Sequence, residues 1–313
     1  MQPGLSTHVF SQQRLQPSML DALAAAGART IEILAVRHHF DYTETTVVRE
    51  TAAWFRSNDV RAVLHQPLYI SDSGRAVSSG DPANWSRHVA PNLNLISERK
   101  SGRIAAMDEV KRAIECTEQI PFANVVLHLG LKDTPWDDFA IEYSITAIEH
   151  LKAFAGPLGV RLLLENLQSE ATTPDHLLYI LRTGHFDTVG ICLDVGHLHL
   201  SQSTAEAEAA SDSGVAAAIA LLGTRIAQVH LHDNHGPFAH KEINDSTDMK
   251  DEHLWPGEGG PGGDTIDWPA ASSALAALPA ATPGILEIAG NSEEPAESIT
   301  RKAEAAFRMF ANR

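Results

Sequence analysis

A chain of 313 residues, 43% hydrophobic and 20% charged, carries enough apolar content for a large core. Its longest apolar runs fall short of the ~20 residues of a membrane span. A net charge of −16 argues against a nucleic-acid surface, which wants a basic face. Two cysteines, Cys116 and Cys192, supply neither a disulfide framework nor a CxxC site. The opening MQPGLSTHVFSQQ lacks the basic-then-apolar pattern of a secretory signal. Together these features predict a protein of the reducing cytoplasm.

Short apolar, β-branched runs predict strands at LSTHVF (5–10), TIEILAV (30–36), RAVLHQP (61–67), NVVLHLG (124–130), VRLLLENL (160–167), VGICLDVG (189–196), IAQVHLHD (226–233) and GILEIAG (284–290). Ala-rich amphipathic segments between them predict helices near 18–26, 44–57, 100–118, 137–155, 174–183, 204–222, 266–278 and 294–311. Strand-then-helix alternation without a change of composition reads as one α/β domain over 1–313, a (β/α)8 TIM barrel. A doubly wound open sheet is the alternative, but no GxGxxG follows the first strand. Two polar connections rich in Gly, Pro and Ser, 69–99 and 234–265, follow strands three and seven. In a barrel both belong to the carboxyl-end face, where active sites are built.

The strand ends carry the chemistry. Strand three ends in His65, four in His128, five in Glu165 and six in Asp194, with His197 just beyond. Strand seven ends in His230 and His232, which share a face by alternation, and eight in Glu287. Each alone could be a hydrogen-bonded core group. Crowded at one end of a barrel, unpaired imidazoles and carboxylates would be costly, and a divalent cation supplies the missing charge. In DVGH (194–197), Gly196 is expected to allow a turn that returns His197 to the centre. Asp251 and His253 can both face inward from an extended DEH, and Asn166 points away from Glu165 toward neighbouring backbone. Mixed His and carboxylate ligands suit Mn, Zn, Co or Fe better than Ca. His38, His39 and Phe40 are expected at the pocket wall and Trp255 in the long loop over the pocket, and Cys192 reads as a small buried hydrophobe.

LLLENL, GICLDVGHLHL, VHLHDNHG, DEHLWPGEGG and LEIAG together resemble the xylose isomerase-like TIM-barrel superfamily, and within it the sugar phosphate isomerase/epimerase branch. The resemblance covers essentially the whole chain. It implies an isomerase, epimerase or dehydratase acting on a small sugar, keto-sugar or polyol through an enediolate. It implies one divalent ion (Mn, Zn, Co or Mg, with Mn or Zn foremost) held by Glu165, Asp194, a strand-seven histidine and Glu287. Relatives differ on whether that histidine matches His230 or His232. Glu165 and Glu287 would exchange the proton and His197 would polarise a substrate oxygen. His65, His128, His232 and Trp255 would contact substrate, and His197, His232, Asp251 and His253 are further ligand candidates. Members of the branch are often dimers or tetramers. No cluster of Lys or Arg stands out as a phosphate clamp, which favours a non-phosphorylated substrate.

The chain is also similar to endonuclease IV, a zinc enzyme cutting DNA at abasic sites. That pattern maps onto His65, His128, Glu165, Asp194, His197, His230, Asp251, His253 and Glu287. It would make the protein a phosphodiester hydrolase. Against it, ENLQSEA stands where an ENTAGQG-like stretch is expected, and Leu68 displaces the expected tyrosine to Tyr69. A silent metal-binding barrel is the third reading, disfavoured because every ligand type is retained.

Overall fold

The computed structural model describes residues 1–70, 91–202, 214–236, 251–259, 265–290 and 294–310. Eight parallel strands close into a barrel in chain order: β1 Gln2–Ser6, β2 Thr30–Leu34, β3 Arg61–His65, β4 Phe122–Leu127, β5 Arg161–Glu165, β6 Gly190–Asp194, β7 Ile226–Leu231 and β8 Pro283–Leu286. The open-sheet alternative is therefore excluded, and the (β/α)8 expectation holds. The long helices around the barrel include Pro17–Ala25, Thr45–Ser57, Lys100–Ile114, Asp138–Ala155, Pro174–Thr183 and Ala296–Phe310. Val215–Leu222 and Trp268–Leu275 are shorter. No helix among the described residues is long and apolar enough to cross a membrane.

Two-residue alternation divides each strand between two cores. Outward residues such as Leu64, Val125, Leu127, Leu162, Leu164, Ile191 and Leu193 pack under the helices in the main core. Inward residues Val63, Val126, Leu163 and Cys192 form a separate plug inside the barrel. One step further along each strand, the inward positions are His65, His128, Glu165 and Asp194. The register fixes their level, since Asp194 pairs with His230 and Glu165 with Cys192. The apolar plug thus forms the floor on which a polar layer stands.

Three local expectations change. The first strand ends at Ser6, and 7–10 is a 3-10 turn, because the Ser6 hydroxyl accepts from His8 N–H and curls the chain. The predicted 204–222 helix is described only from Val215, and 203–213 lies outside the described residues. So does most of the two long connections, at 71–90, 237–250 and 260–264. Finally, Val195–Leu200 is a short helix rather than a turn, capped by the Asp194 side chain accepting from His197 N–H at 2.7 Å. Gly196 serves another purpose. A Cβ there would lie 2.1 Å from the His232 ring, so the absent side chain is what admits His232.

Candidate metal centre

Four buried side chains from β5 to β8 converge. Glu165, Asp194, His230 and Glu287 each offer one ligand atom, all within 4.8 Å of one another. His230 Nδ1 lies 3.0 Å from Glu287 Oε2, 3.3 Å from Glu165 Oε1 and 3.6 Å from Asp194 Oδ2. Three carboxylates around one imidazole leave an excess of negative charge in a place with almost no solvent. Asp194 Oδ2 is buried and has no hydrogen-bond partner among the described residues. An orphaned anionic oxygen facing three other donors fits a divalent cation.

Of the further sets among the described residues, two bring in most of the other donors. His65, His128 and Glu165 form the first, with Glu165 Oε2 3.1 Å from His128 Nε2 and 3.6 Å from His65 Nε2. His197, His232, Asp251 and His253 form the second. Asp251 Oδ2 reaches His197 Nε2 at 2.6 Å and His253 Nε2 at 3.1 Å. Two carboxylates connect the sets. Glu165 presents one oxygen to His65 and His128 and the other to His230, while Asp194 presents Oδ1 to His232 Nε2 at 3.0 Å and Oδ2 to His230. Both strand-seven histidines therefore join metal-competent groups, but different ones.

Charge coupling sets the protonation of the metal-free layer. Burial disfavours ionised Glu165, yet His230 and His128 outweigh it and hold the carboxyl well below its usual range. Burial likewise opposes ionised Asp194, and His197 and His232 bring it down to about 2. The imidazoles move the other way. Burial would lower His65 and His253, but Glu165 and Glu287 around the former and Asp251 beside the latter raise each to about 9. His230 is also held well above its usual range against burial, by the surrounding carboxylates Glu32, Glu165 and Glu287. Metal ligation requires neutral imidazole. Loading the metal-free protein at pH 7 should therefore release protons, measurable in a pH-stat. Uptake of zinc with no proton release would contradict this electrostatic balance.

Supporting residues hold the layer in place. The Asn166 amide pairs with the backbone of Asp194, its Nδ2 donating to Asp194 O at 2.9 Å and its Oδ1 accepting from Asp194 N at 2.8 Å. Asp233, 1% exposed, anchors the loop that brings in Asp251 and His253. Its Oδ2 accepts from Gly257 N, Gly259 N and Trp268 Nε1, and Asp233 forms an antiparallel bridge with Leu254. At Gly259 a Cβ would lie 2.5 Å from Asn234 O, so this close return needs glycine. His253 sits at φ 48°, a left-handed conformation costing about 1–2 kcal/mol for an ordinary residue. Its Nδ1 donates to Glu287 O at 2.9 Å and its carbonyl accepts from Ala289 N, which holds it there. Asp233→Ala should lower stability by about 1–3 kcal/mol through the stranded donors. Denaturant unfolding checks this, and an unchanged midpoint would refute the anchoring role.

Some expected residues lie elsewhere. Trp255 is 5% exposed within the main core, with Lys302 over its ring, so the structure shows it packing rather than facing a ligand. Phe40 is also core, and His39 donates to the Gln13 carbonyl, with burial lowering it to about 4. His197 Nδ1 faces Asn166 O and Nε2 faces Asp251, so both nitrogens are engaged. It stands with the second set, its Nδ1 also 3.3 Å from Glu165 Oε1. Cys192 is buried in the plug, and burial pushes its thiol up. Sequence reasoning gave no role to His8, Glu32 or Gln228. His8 lies 3.7 Å from Glu287 Oε1, brought there by the 3-10 turn that replaces the end of the expected first strand. Glu32 and Gln228 could have been found from alternation, because they occupy inward positions one step below the polar layer.

A closed barrel with a carboxylate–histidine centre at its carboxyl end defines a class of TIM-barrel proteins. The chain belongs to the xylose isomerase-like TIM barrel family, whose family model matches residues 20–309. The uncharacterized protein MJ1311 of Methanocaldococcus jannaschii is 26% identical over 175 residues, 54% of this chain and 53% of its own length. The matching part of the chain thus spans about half of that curated relative. Among solved structures, a D-tagatose 3-epimerase-like protein superposes with TM-score 0.65 at 20% identity, over 99% of this chain and 95% of that one. The IolI protein with a bound zinc atom superposes with TM-score 0.70 at 18% identity, over 99% and 98%.

Proposed function

We propose that the protein is a divalent-metal-dependent isomerase or epimerase acting on a small sugar, keto-sugar or polyol. The observation that carries this reading is the set Glu165, Asp194, His230 and Glu287, with its unpartnered Asp194 oxygen. Likeness in fold to a 3-epimerase-like protein and to a zinc-binding one supports it. A bound divalent ion would polarise adjacent substrate oxygens and acidify the C–H beside the carbonyl. Glu165 and Glu287 would serve as the proton-transfer pair: an ionised carboxylate would remove the proton, and a carboxyl that has taken one up would return it. His65 and His128, on the β3–β4 side, would orient substrate hydroxyls.

A second reading is phosphodiester hydrolysis at a multinuclear zinc site, favoured by three adjoining ligand sets connected through Glu165, which two of them contain, and Asp194, which faces His232 of the third. Metal analysis of protein purified without added metal, with assays on keto-sugars and on an abasic oligonucleotide, separates the two. One ion per chain with sugar turnover supports the isomerase. Three zincs per chain with strand cleavage supports the hydrolase, and metal with neither turnover leaves a binding protein.

A further inference from the structure

Below the polar layer, on β2, Glu32 is fully buried inside the barrel. A carboxylate is almost never placed there without a partner. Its Oε2 lies 2.9 Å from His230 Nε2 and accepts from Gln228 Nε2 at 2.7 Å, while its Oε1 has no hydrogen-bond partner. None of the ligand sets at the centre includes Glu32. Among the described residues its contacts with the centre run to the far nitrogen of His230, directly and through Gln228, whose Nε2 lies 3.0 Å from that nitrogen.

We propose that Glu32 is a positioning residue that fixes the orientation and tautomer of His230 for metal binding. An imidazole has two distinct nitrogens, and the proton on one decides what the other can do. With Nε2–H donating to Glu32, a neutral His230 has its Nδ1 lone pair facing Glu287, Glu165 and Asp194 at 3.0, 3.3 and 3.6 Å. A lone pair aimed at three carboxylates is unfavourable unless a proton or a cation stands between them. Glu32 therefore prepares Nδ1 as a metal ligand, and its charge makes the imidazole a stronger donor. Gln228, two residues before His230 on the same face of β7, ties the Glu32 carboxylate in place. The floor of the barrel thus holds an acid–histidine pair aimed upward.

The role given to Glu32 rests on the metal-centre reading above, and the experiment keeps the two apart. Zinc affinity is measured for wild type and Glu32→Gln by competition with a chromophoric chelator, alongside the melting temperature of the metal-free forms. Glu32→Gln keeps the shape and an acceptor but removes the charge. Zinc binding about 10–100-fold weaker, with metal-free melting near that of wild type, is the expected result. A folded Glu32→Gln protein that binds zinc as tightly as wild type overturns the positioning role and leaves the metal centre standing. Wild type without zinc binding overturns both. Long-range proton–nitrogen NMR of zinc-loaded wild type decides the matter if the variant does not fold. Zinc on Nδ1 with a protonated Nε2 at His230 supports the role, and zinc on Nε2 overturns it.

Discussion

On the proposed function, Glu165→Gln and Glu287→Gln are each expected to fold and to lose turnover by about 10²–10⁴-fold, the usual contribution of general acid–base catalysis. Both carboxyls are held below their usual range against burial, so in the wild type they are bases at neutral pH. The amide keeps size and a carbonyl ligand but cannot take a proton. Loss of metal would add to the effect, most at Glu165, whose two oxygens face separate histidine sets. Wild type run in heavy water should place deuterium on the carbon beside the carbonyl, because a proton held on a carboxylate exchanges. Hydrolysis has no such step. Near-normal rates in both variants, together with product free of solvent deuterium, would refute the two-glutamate mechanism.

Asp194→Ala should be the most damaging single change to the centre. The side chain caps the Val195–Leu200 helix, and its oxygens face His232 at 3.0 Å and His230 and His197 at 3.6 Å. Removing a buried charge from among its partners typically costs about 3–5 kcal/mol. Metal should be lost as well. Asp194→Asn separates the two roles, because its amide oxygen still accepts from His197 N–H while the negative charge is gone. It should keep most of the stability and bind metal poorly. Denaturant unfolding and metal analysis of both variants check this, and an Asp194→Asn protein with full metal content would remove Asp194 from the ligands.

The barrel was legible in the sequence because short apolar strand segments alternate with helical segments along the whole chain. The ligand layer was legible for the same reason: His65, His128, Glu165, Asp194, His230 and Glu287 fall at equivalent points of successive strands. Residues that act through a loop conformation were harder to read. Gly196 looked like a turn glycine, and only the three-dimensional approach of His232 shows why a side chain is excluded. Trp255 beside a Gly-rich run suggested an open loop, yet the Asp233 anchor turns that stretch back against the core. Strand alternation gave His230 and His232 one face but not one role. Their separation depends on which oxygen of Asp194 each imidazole meets.

The Asp233 anchor also makes part of this centre modular. Asp251 and His253 lie just upstream of Leu254, Gly257 and Gly259, the points where the returning chain is fastened to the barrel. The chain from 237 to 250 therefore begins and ends at fixed places, and lengthening such a connection adds little closure entropy, about 0.6 kcal/mol per doubling. Insertions there can be accommodated while Asp251 and His253 stay in register with His197 and His232. Loss of the anchor would instead withdraw two donors together and leave the four from β5 to β8 in place. A barrel built this way can change the number of donors it gathers at its mouth by altering one fastening, without touching any strand.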